Sequence, residues 1–434
     1  MINIFINPAK YDPIILTPVG NDPKDVTSLF REINVYENIF TNFLSGDMTL
    51  IDTPATRLIE QGLIGIGDLI EFSFAGKTED GSTAEKAINI KMKIYKFETS
   101  APSGFTGQAV KIYFSSSEFL ENKNNAISTL YDGNISDIIT KIIKKLHVSE
   151  SNLEIESCDQ KIKLIVPYDN PMTQINNLVK RMGKGNDFNY VFYQTIDGKY
   201  KLTSVASLMK KQSNWGTDSK TGFVVLPGGV EADGNLMKRM CITHAASQMS
   251  PIENAHNGMV SSSVLTIDTT TKNYIETTYS LKDDYSKQTH ISKEALVDFE
   301  SEYMTKTIDG PVISFIRTKA KGLFDCKETD DGQDQIGGEK DWFLKRKSQI
   351  EQLNQLSITF FISGNSLIRA GDTFFFGRPV QQSLSQEAGN KKKDFKYNGK
   401  YLCSSIKHTL FFNKENSVQY MTQIKGIKDS KGDE

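Results

Sequence analysis

The chain is poor in cysteine and tryptophan, has no long apolar run and shows no excess of either charge, and each scarcity excludes a class of protein. Its four cysteines, Cys158, Cys241, Cys326 and Cys403, lie far apart with no Cys-x-x-Cys pair. That spacing offers neither a zinc site nor a redox couple, suits a reducing compartment, and marks all four as core thiols. No stretch approaches the roughly 18 consecutive apolar residues of a membrane span. The opening MINIFINPAKYDPII has no basic start followed by an apolar segment, so no leader is expected. A soluble, non-secreted protein without membrane insertion follows. Lysine and arginine number 51 against 53 aspartates and glutamates, a formal net charge of -2. No whole-chain field therefore favours nucleic acid or an anionic membrane, and binding must come from local surfaces.

Catalytic patterns are missing in the same way. The five histidines, His147, His244, His256, His290 and His408, never form HxxxH or HExxH pairs, which leaves metal and general-base roles without local support. AGKTEDGS contains Gly76-Lys77-Thr78, the end of a phosphate-binding loop, but that loop needs glycine where Glu71 stands, so a hairpin loop is the better reading. GKGN at 183–186 follows a helical pattern rather than opening one, which suits a helix end and not an anion cradle. ETDDGQDQIGG lacks the spaced aspartates and closing glutamate of a calcium loop. SGNSLIRAG is no nucleophile elbow, and no carboxylate pair stands out as a glycosidase dyad. No catalytic, cofactor-binding or metal-ligating residue is nominated, no cofactor is expected, and the reading is non-enzymatic.

What is present is β-structure with a helical interlude. Residues 1–117 carry β-branched and aromatic segments at spacings of about ten (VTSLFREINVYENIF, GDMTLIDT, DLIEFSFAGK, INIKMKIYKFET, QAVKIYFSSSE), the pattern of a small antiparallel barrel or sandwich. From 118 to 210 the period changes. DIITKIIKKLH puts Ile138, Ile139, Ile142, Ile143 and Leu146 on one helical stripe. In NPMTQINNLVKRMGKG, Asn170 can cap, Pro171 fits the first helical position and Gly183 can end a helix. The stripe of that helix is Ile175, Leu178, Val179 and Met182. Just behind it, YVFYQTIDGKYKLTS predicts a hairpin on a two-residue Asp197-Gly198 turn, with Tyr193 opposite Leu202, Thr195 opposite Tyr200 and one face buried against the stripe. The polar, glycine-bearing text between about 211 and 235 reads as a linker.

An internal repeat organises the rest. GDMTLIDT (46–53) is echoed by SSVLTIDT (262–269), and GLIGIGDLIEFSF (62–74) by SLIRAGDTFFFGR (366–378). Both copies continue into a second strand pair, KIYKFET with VKIYF and KYLCSSIKHT with VQYMTQI, which aligns Tyr95 with Tyr401. The recurring Gly67-Asp68 and Gly371-Asp372 suit a tight turn entering a strand. Asp52 to Gly67 spans 15 residues while Asp268 to Gly371 spans 103, so the second copy is expected to hold an insertion. The fold class is therefore α+β, mainly β: two related antiparallel β-barrel domains joined by a helix-plus-hairpin domain, with an inserted subdomain in the second barrel. The expected boundaries are 1–117 for the first barrel, 118–210 for the helix-plus-hairpin domain, 211–270 with 343–434 for the second barrel, and 271–342 for the insertion. Within the insertion SKEALVDFESEYM is expected to be helical; the chain then re-enters the second barrel through DWFLKRKSQIEQLNQ, helical by composition, and LSITFFIS, a strand, with the lysine-rich 386–400 a solvated loop.

This arrangement resembles the central hub protein of contractile phage tail baseplates, with the T-even phage hub as type member and the hub portion of type VI secretion spike proteins as a relative. The residues that carry the resemblance are GDMTLIDT, GIGDLIEF, NPMTQINNLVKRM, YVFYQTIDGKYKLTS, NGMVSSSVLTIDT, LIRAGDTFFF and YLCSSIKHTLFF with VQYMTQIKGI. The resemblance implies a homotrimer whose six barrels form a pseudo-sixfold ring, adapting a hexameric tail tube to a trimeric tail spike protein. It implies tail tube ring proteins and the spike as partners, with baseplate wedge and tape measure proteins as further neighbours. No nucleic acid contact is required, although the ring would line the DNA channel. Localisation would be the virion tail baseplate, after assembly in the bacterial host cytoplasm. No lysozyme-like or β-helical segment is read in the chain, so spike and wall-degrading functions would sit on other chains. Two other classes need features the sequence does not display. A tail-associated cell-wall hydrolase needs a carboxylate dyad or zinc set, and a soluble two-barrel carbohydrate-binding or nucleic-acid-binding protein needs a basic or aromatic stripe.

Overall fold

The computed structural model describes residues 9–432 except 63, 77–85, 101–106, 219–220, 226–238, 269–271, 300–310, 312, 320–323, 326–338, 354, 379–395 and 414–416. The chain is mainly β, with large antiparallel pairings. Three short strands, β1 (Ala9–Tyr11), β2 (Ile15–Thr17) and β3 (Lys24–Asp25), precede five longer ones. These are β4 (Phe30–Asn38), β5 (Ser45–Asp52), β6 (Leu69–Gly76), β7 (Ile88–Ser100) and β8 (Gln108–Ser115), hydrogen-bonded in the order β4-β5-β8-β7-β6. Alternation dictates their faces. In β7, Ile88, Ile90, Met92 and Ile94 are buried while Asn89 and Lys91 are exposed, the period of a half-covered sheet.

The interlude contains α1 (Ser117–Asn124), β9 (Leu130–Asn134), α2 (Ile135–Ile143), β10 (Leu153–Ile155), β11 (Lys161–Ile165), α3 (Pro171–Val179), β12 (Tyr190–Gln194), β13 (Tyr200–Ser204) and α4 (Val205–Lys210). The Asn134 side chain caps α2 by accepting from Ser136 N. The whole Ile138, Ile139, Ile142, Ile143, Leu146 stripe packs with Ile175, Leu178, Val179 and Met182 in one buried cluster. Asn170 precedes Pro171 at the start of α3, but its side chain makes no cap and donates instead to Asn122 O. The helix ends at Lys180 rather than at Gly183, whose N–H donates to Gln160 Oε1.

The hairpin differs from its sequence reading by one residue. Thr195 N donates to Lys199 O at 2.8 Å, leaving a three-residue loop Ile196-Asp197-Gly198 in which Gly198 has φ +80°. Such a loop, with a left-handed glycine at its end, competes with the two-residue turn for the same dipeptide. The register becomes Phe192 opposite Leu202 and Tyr193 opposite Lys201. A slip of one flips every side chain. Both faces of β12 are buried: Tyr190 and Phe192 join the helix cluster, while Val191 and Tyr193 join a second cluster with Ile39, Leu208, Ala370, Leu402 and Ile427.

The remainder contains β14 (Phe223–Val224), β15 (Thr243–Gln248), β16 (Ser261–Asp268), β17 (Asn273–Ser280), β18 (Ile313–Lys319), β19 (Phe324–Asp325), β20 (Leu356–Ser363), β21 (Thr373–Gly377), β22 (Gly399–Phe412) and β23 (Val418–Lys428), with a helix at Glu339–Leu353. Its large-sheet order is β15-β20-β23-β22, with β21 on β22. This repeats β4-β5-β8-β7 with β6 on β7, strand for strand.

Pairing corrects the repeat drawn from sequence. The partner of GDMTLIDT (β5) is LSITFFIS (β20), because each lies between the equivalents β4 and β8 or β15 and β23. SSVLTIDT is β16, which pairs only with β17 and β18 in a separate three-stranded sheet. The material between the paired halves of the second copy therefore begins after β15 and runs to β20, a longer stretch than 271–342. SKEALVDFESEYM forms no helix over its described residues, 292–299, which make turns and an Ala295–Ser430 bridge. DWFLKRKSQIEQL is helical as expected. Lys77 and Thr78, the whole of ETDDGQDQIGG, Cys326 and the lysines of 391–393 lie outside the described residues.

The two copies are joined edge to edge. β22 pairs with β4 from Ser405↔Asn38 to Phe411↔Glu32, which fuses both into one sheet of 14 strands. No closed barrel is found among the described residues. Among them, too, no helix is long and apolar enough to cross a membrane.

Candidate assembly interface

The repeat is reproduced at the level of single hydrogen bonds. Gly67 N donates to Ile94 O at 2.8 Å and Ile94 N returns to Asp68 O at 2.9 Å. In the second copy Gly371 N donates to Cys403 O and Cys403 N to Asp372 O, both at 2.8 Å. Each aspartate closes its turn from below, Asp68 Oδ2 accepting from Gly65 N at 2.5 Å and Asp372 Oδ2 from Arg369 N at 3.0 Å. Both glycines sit at positive φ, +94° and +88°, where a side chain is strained. Directly after each contact the ladder bulges, between Ile94 and Lys96 in β7 and between Cys403 and Ser405 in β22. The structural partner of Tyr95 is thus Ser404, not Tyr401. Volumes are exchanged between copies: Gly46 faces Phe114 across β5 and β8, and Ile358 faces Gly426 at the equivalent pair.

The seam between copies is built from buried polar groups as well as strand bonds. Glu37, almost wholly buried, accepts from Ile196 N at the hairpin tip (3.1 Å) and from Ala370 N at the second elbow (3.1 Å). One carboxylate thus ties both copies to the interlude. Two positions along the seam from Ile406, which lies opposite Glu37, the buried His408 contacts Tyr420 Oη at 2.7 Å, and Tyr420 donates onward to Asn365 O. Asn34 links Thr409 to Asp47 across it.

The candidate chemical groups read from sequence lie apart among the described residues. Among the described residues no three His, Cys, Asp or Glu side chains converge as a metal set. His147 is exposed beside Glu121, and His256 contacts its own helix at Ile252 O. His290 is the most structured: Nδ1 lies 2.8 Å from Asp429 Oδ2, Nε2 lies 2.8 Å from Tyr285 O, and the ring stacks on Tyr285 at 3.7 Å. With both nitrogens engaged it has none left to accept a substrate proton. Burial opposes its charged form, but Asp429 and the Tyr285 carbonyl raise its pKa on balance, as suits a doubly donating imidazolium. Cys158, Cys241 and Cys403 are buried free thiols, pushed up by desolvation. In GKGN, Gly185 N donates to Asp159 Oδ2, so a carboxylate of the chain occupies the position an anion would take.

Among the strand edges without a described partner, two hold equivalent places in the two modules' joining scheme. Beyond Lys93, no described strand pairs with the side of β7 that β6 leaves, and β15 pairs with β20 alone. The residues there, Lys96, Glu98, Thr99, Ser100, Thr243, His244, Ala245, Ser247 and Gln248, are exposed. Nothing in local sequence marks these edges, because openness is a property of what fails to pair. The sheet β16–β18 also exposes Tyr274 and Ile316 on one face.

No protein-family model matches this sequence, and no curated protein matches it either. Solved structures do. The chain is similar to the 43 kDa tail protein of prophage MuSo2 from Shewanella oneidensis at a TM-score of 0.53, with 9% identity over 97% of this chain and 100% of that one. It is likewise similar to a tail protein from Neisseria meningitidis MC58 at a TM-score of 0.51, with 9% identity over 96% and 97%. The resemblance to phage tail proteins drawn from sequence agrees with these neighbours at the level of the fold.

Proposed function

We propose that the chain is a structural hub of a contractile tail baseplate, acting by binding rather than by chemistry. The observation that carries this reading is the pair of equivalent five-strand modules within one chain. Three copies would present six like modules, so one face could meet a sixfold tail tube while the whole kept the threefold symmetry of a trimeric spike. The shared fold with two tail proteins supports a virion setting. In this reading the modules form the tube-facing ring, the interlude holds them at their separation, and the insert reaches outward toward wedge and tape measure proteins. The ring would line a channel without reading nucleic acid. The domain division we adopt follows: 1–117, 118–210, and a second module with its insert over 211–434.

Light scattering of the full chain, alone and mixed with its tube and spike proteins, tests the reading. A threefold mass and a ternary complex are expected. A chain that stays monomeric beside both partners overturns it.

A further inference from the structure

The seam inside the chain specifies how the next chain attaches. Equivalence between modules is fixed residue by residue: Ile94 matches Cys403, Phe114 matches Gly426, Gly46 matches Ile358 and Val35 matches Ala246. The seam joins β22 of the second module to β4 of the first. Its two halves have counterparts, β7 and β15, and on the corresponding side neither β7 beyond Lys93 nor β15 has a described strand as partner. We infer that β7 of one copy pairs antiparallel with β15 of the next, in the register of the seam: Lys96 with Met249, Phe97 with Gln248, Glu98 with Ser247, Thr99 with Ala246 and Ser100 with Ala245.

Hydrogen-bond parity supports this register independently. Ile39 N donates to Ser404 O, so Glu37 and Val35 are bonded seam positions, and these map onto Gln248 and Ala246. On β15, Met249 N donates to Gln355 O, so alternate residues Ser247 and Ala245 bond inward to β20. Gln248 and Ala246 therefore turn their N–H and C=O groups to the open side, as the transferred seam requires. The edge itself is unguarded. Thr243–Gln248 reads THAASQ, without proline or a fixed charge, whereas an edge that must stay unpaired carries such blocks. On β7, the Lys96–Glu98 ion pair keeps the strand from presenting a net charge. The two edges differ, so the contact is head-to-tail and must close into a ring or run on as a fibre. That the ring holds three copies rests on the proposed hub function. The edge pairing does not.

The test uses the full chain in a Cys326→Ser background. Glu98→Cys with Ser247→Cys occupies a non-hydrogen-bonded pair, where Cα atoms approach to about 4.5 Å, within disulfide reach. Oxidation is expected to give a covalent species of three times the monomer mass, and Glu98→Cys with Ala245→Cys, out of register, at least tenfold less. Ala246→Pro removes an N–H that faces away from β20 and has no partner among the described residues. It is expected to leave circular dichroism and melting unchanged while abolishing assembly. Equal cross-linking by both pairs, or assembly undiminished by the proline, overturns the inference. A trimer that never cross-links in register overturns it too and leaves the hub reading standing. In-register cross-links in a species of any other size uphold the edge pairing and overturn the threefold ring.

Discussion

Glu37 and Ala370, separated by 333 positions, meet where the two modules join, with the Ala370 N–H donating to Glu37 Oε2 at 3.1 Å. Burial pushes this carboxyl from its ordinary 4.5 up to about 7, against the opposing bonds from Ala370 and Ile196 and the charge of Arg369, with Asp197 adding to the rise. The sign follows from proton uptake. The folded chain holds a proton between pH 4.5 and 7 that the unfolded chain has lost, so this stabilisation is full below 4.5 and vanishes as pH rises through 7. The span is worth on the order of 3 kcal/mol. Glu37→Gln should remove this contribution, so the stability difference between wild type and variant in urea titrations shrinks as pH rises from 4.5 through 7. It should also lower stability by about 1–3 kcal/mol, because an amide turns a donor toward one of the two N–H groups.

His408, two positions along the same seam and opposite Val35, acts in the contrary sense. Desolvation, with Arg369 nearby, lowers its pKa to about 3, so the ring is held neutral when folded. An unfolded chain takes up a proton below about 6.5 that the folded one refuses, and stability falls as pH drops from there toward 3. Between pH 4.5 and 6.5 the two groups nearly offset each other. In Glu37→Gln the histidine is left alone, and the melting temperature should fall with acid across this range. His408→Gln should show the reverse, a rise. Parallel slopes in the two variants would reject this pairing of causes.

Sequence patterns revealed what is local and periodic. The stripes of α2 and α3 were legible because a 3.6-residue period needs no knowledge of a partner, and all nine of their residues are buried together. The Gly-Asp elbows were legible because one backbone geometry demands both residue types. Partner choice was not. SSVLTIDT resembles GDMTLIDT because half-buried strands share an alternation, whereas the true counterpart LSITFFIS differs in composition: Gly46 in one module is Ile358 in the other, with Phe114 and Gly426 reversed. Asp197-Gly198 suits two turn lengths, and the choice between them rests on Ile196, whose N–H is held by Glu37 from 159 positions away. The candidate interface was invisible for the same reason, since an open edge is defined by distant strands.

The two elbows make a matched experiment. A Cβ at Gly67 would meet nothing within 4 Å, so Gly67→Ala carries only the strain of φ +94°, about 1–2 kcal/mol. At Gly371 the same atom would meet Tyr193 Oη at 2.5 Å and Leu208 at 3.3 Å. Gly371→Ala should therefore cost about 2–4 kcal/mol, strain and overpacking together. Guanidinium denaturation of both variants reads the difference. Equal losses would mean that the hairpin does not press on the second elbow.

Close packing at Gly426 gives a coupling that a double-mutant cycle can isolate. Its Cβ would lie 2.5 Å from Phe374 Cζ, the tip of a fully buried ring. Gly426→Ala should destabilise by about 1–3 kcal/mol, because the strand backbone cannot retreat from a filled core. Phe374→Leu alone should also destabilise, since it opens a void among Phe223, Phe360 and Tyr401, whose rings contact it. Leucine has no atom at the Cζ position, so the double variant should lose less than the sum of the two by at least about 1 kcal/mol. Strict additivity in urea melts would place the cost of the alanine in the backbone of β23 rather than in that ring. A coupling of the stated sign would instead show that Gly426 is small because Phe374 is large, the same exchange that sets Gly46 against Phe114 in the first module.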